Sequence, residues 1–230
     1  MASLPIKTQT FLANIPLFKE MQQEEIDRIA ANTSELHVMR GDVLFRKGDP
    51  CAGFHIVVFG QIKLAFTSPS GTEKVVEIMM PGQSFGEAIM FTGKPYVVYA
   101  QALADSMLLH ITKSAVFEEI ERDPKFACRM IAGLSRRLHG LISDLESYSL
   151  YSGAQRVIGF LLRSELELDA KDAPFSVELP TQKSIIASRL NLTPEHFSRI
   201  LHDLTEDGLI KVEGRSIVIL DIERLRTHEV

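Results

Sequence analysis

Residues 181–208, TQKSIIASRLNLTPEHFSRILHDLTEDG, read as a helix, a tight turn and a second helix. At the turn, Ala187 is small enough for two helices to cross closely, and Asn191 tolerates the left-handed backbone that such a turn requires. Thr193 is placed to cap the next helix. Pro194 suits its first position, where an amide hydrogen would find no partner, and Gly208 suits its end. Phe197, Ile200, Leu201 and Leu204 recur at three- and four-residue steps and predict a buried stripe, which leaves Glu195, His196, Ser198, Arg199 and His202 towards solvent. A polar face near the start of the second helix is the part of such a pair that enters a DNA major groove, where arginine grips guanine and glutamate accepts from the cytosine amino group. We therefore expect Arg199 and Glu195 to read base edges, with Ser198, Thr193 and His196 beside them, and Lys183 and Arg189 to meet phosphate.

A helical hairpin with an ordinary solvated face is the competing reading, and the residues that follow weigh against it. Residues 209–212, the turn Glu213-Gly214-Arg215 and residues 216–220 predict two short strands around a turn, the wing of a winged helix. With that wing in place, the run Leu192-Thr193-Pro194-Glu195-His196-Phe197-Ser198-Arg199-Ile200-Leu201 closely resembles the recognition helix of the Crp/Fnr family of bacterial transcription regulators. The resemblance extends over nearly the whole chain. Glu195, Ser198 and Arg199 are similar to the Glu-x-x-Ser-Arg pattern of the fumarate-and-nitrate-reductase type, which implies palindromic sites made of TTGAT half-sites. The catabolite-activator type differs, with an arginine where this chain has Pro194 and a glycine at Ser198. The resemblance implies double-stranded DNA, a second copy of the chain, RNA polymerase and a small-molecule or gas effector as partners.

The chain has 230 residues, 45% of them hydrophobic, enough for one large or two modest cores. No apolar run approaches the roughly 20 residues needed to span a bilayer, and no secretory signal is evident, so a cytoplasmic protein without a membrane partner is expected. Cys51 and Cys128 lie far apart without paired-ligand spacing, so they are expected to be buried thiols. An iron–sulfur cluster is not expected, because residues 1–35 hold no cysteine. A formal net charge of −5 argues against indiscriminate nucleic-acid binding. Within residues 181–201, however, Lys183, Arg189 and Arg199 stand against Glu195 alone, which confines phosphate attraction to one face.

The overall expectation is an α+β chain in three parts: a β jelly-roll sensor of cyclic-nucleotide-binding type over residues 1–123, a dimerisation helix over 124–150, and a winged helix-turn-helix over 151–230. Residues 14–32 predict a short helix. Runs 35–39, 43–46, 54–59, 62–66, 75–80, 97–102 and 107–111 are rich in branched and aromatic residues and separated by glycine-marked turns, the pattern of a sandwich or jelly roll. A metal-dependent jelly-roll enzyme would need clustered histidines. His37, His55 and His110 are scattered singly on different predicted strands, so an enzyme is not expected. From residue 124 to 148, Ile131, Leu134, Leu138, Leu141, Leu145 and Tyr148 follow alternating three- and four-residue steps, a heptad seam for a homodimer. Arg136, Arg137, Ser143, Asp144 and Glu146 are expected on its outer side. Residues 147–152, ending in Gly153, predict a hinge into a helix over 154–166, and residues 169–174 a polar turn.

Phe85-Gly86-Glu87 and the residues after it resemble the phosphate-binding cassette of cyclic-nucleotide domains. That cassette implies an effector pocket formed by Phe85, Gly86, Glu87, Val97 and Val98. A downstream arginine normally meets the phosphate, but that position falls among Val97, Val98 and Tyr99, which disfavours cyclic AMP because a buried phosphate needs a counter-charge. Glu87-Ala-Ile-Met-Phe, Ser135-Arg-Arg-Leu-His139 and Ser143-Asp-Leu-Glu-Ser147 resemble the dissimilative nitrate respiration regulator branch, whose members answer nitric oxide through haem. This resemblance implies an activator with an apolar haem cleft between the β domain and the long helix, His139 being the axial ligand. A second class of explanation is a cyclic-nucleotide or other small-molecule-binding module whose helix-turn-helix is vestigial.

Overall fold

The computed structural model describes residues 7–15, 18, 21–168 and 175–228, the side chains of 163–168 excepted. Two compact units divide the chain, Met1–Gly140 and Leu141–Val230.

The first unit opens with α1 (Thr8–Ala13) and α2 (Gln23–Ala31). The helix expected over 14–32 therefore occupies only its second half, and begins where the Gln22 amide donates to the Glu25 carboxylate at 2.6 Å. Eight strands follow: β1 (Thr33–Val38), β2 (Val43–Phe45), β3 (Gly53–Phe59), β4 (Ile62–Thr67), β5 (Glu73–Met79), β6 (Ser84–Phe85), β7 (Tyr99–Ala102) and β8 (Ser106–Thr112). α3 (Glu87–Thr92) lies between β6 and β7, and α4 (Lys113–Arg122) precedes the 27-residue α5 (Pro124–Leu150). Two antiparallel four-stranded sheets, β1-β8-β3-β6 and β2-β7-β4-β5, form the β roll.

Six of the seven residues of β3 are buried, because the strand serves two apolar layers. Val57 and Leu108 pack inside the roll with Phe45, Ile62, Phe85 and Tyr96. Phe54, Ile56 and Leu109 meet the helical layer, with Leu12, Ile29, Val116, Phe126 and Met130. α2 is fixed to α4 by a two-pronged ion pair from Arg28 to the buried carboxylate of Glu119, at 2.7 and 3.0 Å. Cys51 is half-buried and Cys128 exposed, so the expectation of two buried thiols is corrected. Cys128 lies in sequence between the buried Phe126 and Met130 but is itself exposed.

The second unit contains the last turns of α5, α6 (Gly153–Leu168), β9 (Phe175–Glu178), α7 (Lys183–Arg189), α8 (Pro194–Glu206), β10 (Ile210–Glu213), β11 (Ser216–Ile219) and α9 (Ile222–Arg226). The wing has a third strand that periodicity did not reveal, giving the order β10-β11-β9. Its core joins Val157 and Leu161 to Val177, Ile186, Phe197, Leu201, Ile217 and Leu225. At the start of α6, Ser152 and Gln155 cap each other reciprocally, at 2.8 and 3.2 Å. The polar turn expected over 169–174 lies outside the described residues. The first half of α5 carries Phe126 and Met130 into the core beside the roll, and its last turns fall in the second unit.

Candidate DNA-reading face and effector cavity

The turn between α7 and α8 is made by Asn191 at φ 59°, a left-handed conformation that an amide side chain tolerates better than a branched one. Thr193 Oγ1 accepts from the His196 amide at 3.2 Å, and Pro194 stands first in α8. At the other end, Gly208 at φ 68° lets the Gly208 and Leu209 amides reach the carbonyls of Thr205 and Leu204, both at 3.0 Å. That is the Schellman pattern, so orphan carbonyls at the helix end are satisfied. α8 buries Phe197, Ile200, Leu201 and Leu204 and exposes Glu195, His196, Ser198 and Arg199. Among the described residues Arg199 and Lys183 make no hydrogen bond or ion pair, so both charges are available to a ligand. α6 begins close beneath α8: a Cβ at Gly153 would lie 3.1 Å from both His196 Cε1 and Leu192 Cδ2.

In the first unit, a cavity of about 350 Å³ opens between the roll and the first half of α5. Its polar wall comprises Glu77, Gln83, Ser84, Glu87, Arg136 and Arg137, and Ile15, Met79, Met130 and Leu134 supply the apolar part. Arg137 is its centre, donating to the Ser84 carbonyl at 2.7 Å and to the Glu77 carboxylate at 2.5 Å. Glu87 is 6% exposed, and burial raises its pKa above the ordinary carboxylate value, against the opposing pull of its hydrogen bond to Ser84. Gly86 holds the turn before α3 at φ 100°, with the Gly53 carbonyl 3.5 Å from where a Cβ would sit.

Residues 35–123 match the cyclic nucleotide-binding domain and residues 155–228 the Crp-like helix-turn-helix domain. The structure of DNR from Pseudomonas aeruginosa is 33% identical, the match covering 99% of this chain and 100% of that one, with a TM-score of 0.53. The chain belongs to the Crp/Fnr family. FixK2 from Bradyrhizobium japonicum shares the fold at a TM-score of 0.74 and 22% identity, covering 84% of this chain and 95% of its own. The transcriptional activator protein anr of Pseudomonas aeruginosa is 27% identical over 79% of this chain and 75% of its own. The chain is a DNA-binding transcription regulator of the Crp/Fnr type with an effector-binding domain, and not an enzyme. Among the described residues no helix is long and apolar enough to cross a membrane.

Several residues named from sequence stand elsewhere in this Crp/Fnr chain. Arg189 is not on the open face. Its side chain is 17% exposed and bound to Asp144 and Tyr148, so it is committed within the protein rather than to phosphate. Of the expected effector pocket, only Glu87 lines the cavity. Phe85 and Val98 pack with the apolar interior of the roll, and Val97 is 58% exposed. The cleft is not purely apolar: Arg137, expected on the outer side of α5, points into it. Asp144, expected there too, is buried. Sequence reading passed over Glu77 and Ser84 as cavity residues, because strands β5 and β6 announce only their own pairing. The one signal was Arg137, a fixed charge on a helix face bordering apolar positions.

Haem ligated by His139 does not fit this arrangement. His139 is exposed on α5 and is not among the described residues that line the cavity, which include no histidine or cysteine and carry four charged side chains. Haem added to the purified protein is accordingly expected to give a Soret band that is the same in wild type and His139→Ala; a His139-dependent shift would reverse this.

Proposed function

We propose that the chain works as a homodimer that reads palindromic DNA of TTGAT-type half-sites under control of a small-molecule effector. The observation that carries the reading is the exposure of Glu195 and Arg199, one helical turn apart, on a helix secured at both ends. A two-fold dimer places two such helices about 34 Å apart, one turn of duplex. The apolar side chains along α5 support the dimer: Ile131, Leu138 and Leu145 are each about 60% exposed, a stripe that water alone would penalise. The cavity supports effector control, since Glu77 and Glu87 of the roll and Arg136 and Arg137 of α5 share one wall. A ligand there biases α5 by as much as it binds one arrangement better than the other. With no cation at Val97 or Val98, that ligand is not held through a cyclic-nucleotide phosphate in the usual way.

A mobility shift on a TTGAT palindrome against a scrambled duplex tests the reading, and equal affinity for both would refute it. Arg199→Ala is expected to relax preference at one base pair by about 1–3 kcal/mol. Lys183→Ala is expected to weaken all duplexes alike and to lower the slope of log affinity against log salt by about one.

A further inference from the structure

We propose that Asp144 and Tyr148 are positioning residues for DNA reading, which hold the helix-turn-helix against the end of α5 and so fix the half-site spacing that the dimer accepts. The inference rests on the dimeric, palindrome-reading function above. Asp144 and Tyr148 are four residues apart and share one face of α5. Both forks of the Arg189 guanidinium are engaged there, Nη2 by Asp144 Oδ2 and Nη1 by the Tyr148 hydroxyl, each at 2.5 Å. The same hydroxyl donates to the Arg189 carbonyl at 2.5 Å. Arg156 of α6 donates to the next carbonyl, Leu190, at 3.0 Å, with its guanidinium 6.0 Å from the centre of the Tyr148 ring. These carbonyls end α7 and would otherwise lack helical partners.

This cluster grips the backbone immediately before the Asn191 turn, and so orients α8 directly. Asp144 is 8% exposed, and a planar guanidinium held at once by a carboxylate oxygen and a hydroxyl accepts few geometries. Removing one partner of such a pair leaves a buried charge uncompensated, so arrangements that separate Arg189 from Asp144 are disfavoured. Leu141 and Leu145, on either side of Asp144 in sequence, are exposed and belong to the seam proposed for the dimer. The same two turns of α5 therefore carry the seam and the grip on the DNA-reading pair. A dimer so built is rigid between its two reading heads, and spacing is then read as sequence is.

The test uses the full-length protein and duplexes whose two half-sites stand at the preferred spacing or one base pair nearer or farther. The wild type is expected to prefer one spacing by an order of magnitude or so, as for a coupling carried by one buried network. Asp144→Asn and Tyr148→Phe are expected to remain dimers with unchanged base preference within a half-site, yet to bind the three spacings within about threefold of one another. Asp144→Glu, which keeps the carboxylate, is expected to recover part of the discrimination. If Asp144→Asn does not fold, Tyr148→Phe, which loses only a hydroxyl, decides alone. Folded dimers with wild-type spacing preference would overturn the inference while leaving the functional reading intact. A wild type that does not prefer any inverted repeat over scrambled DNA would overturn both.

Discussion

Replacing Leu138 and Leu145 together with glutamate is expected to turn the proposed dimer into a monomer and to lower affinity for a palindrome by about 10²–10⁴, with binding to a single half-site unchanged. Both side chains are largely exposed in the isolated chain, 59% and 65%, so charging them removes no packing within it. In a parallel pair of α5 helices they fall at the contact, where four carboxylates would be desolvated beside one another. The loss in DNA binding follows because the second half-site is engaged at the effective concentration set by the first, a gain that a monomer forfeits. Sedimentation equilibrium and gel shifts on one- and two-half-site duplexes separate the two effects. A variant that stays dimeric at micromolar concentration would place the interface elsewhere.

Legibility from sequence followed how local the physics was. Asn191, Thr193, Pro194 and Gly208 each act within four residues, so the turn, the cap and the end of α8 could be read directly, and the structure has them there. The β roll was legible as runs of branched residues, but β6, two residues long, is too short for any period, and β9 joins the wing only through β11. Side-chain destinations were the hardest. Arg137 and Asp144 look alike as polar residues on a helix, yet one turns into a cavity and the other into an ion pair 45 residues away in the chain. Tyr148 continues the apolar spacing of the seam, but its hydroxyl needs a partner when half-buried and finds the end of α7. The partners of Arg189 escape sequence reading for the same reason: a cation near a DNA-reading helix is available to phosphate only if no buried acid claims it first.

Stability is expected to fall on acidification more steeply in the wild type than in His55→Phe. His55 faces His110 across β3 and β8, their ring centres 4.8 Å apart, and stacks on Phe85. It is buried, its Nδ1 has no partner among the described residues, and burial followed by the nearness of His110 lowers its pKa from 6.5 to about 3. Above pH 6.5 the ring is neutral folded or unfolded and contributes nothing to pH dependence. Between 6.5 and about 3 the unfolded chain takes a proton that the folded chain refuses, which costs about 1.4 kcal/mol of stability per pH unit. His110, also lowered by burial, acts in the same direction. Glu87 acts oppositely: with its pKa raised by burial above the ordinary 4.5, the folded chain keeps a proton that the unfolded chain releases, so stability is lost as pH rises through this range. The two slopes offset each other over the pH range where they overlap, above 4.5, and below it the Glu87 contribution drops out. Urea unfolding at pH 7, 5.5 and 4.5 should therefore show His55→Phe gaining on the wild type by about 1.4 kcal/mol per unit of acidification, because the phenyl ring keeps the stack and takes no proton. Glu87→Gln should gain on the wild type in the other direction, as pH rises. Parallel stability curves for His55→Phe and wild type would mean that the imidazole is protonated inside the folded roll, against the burial seen at β3.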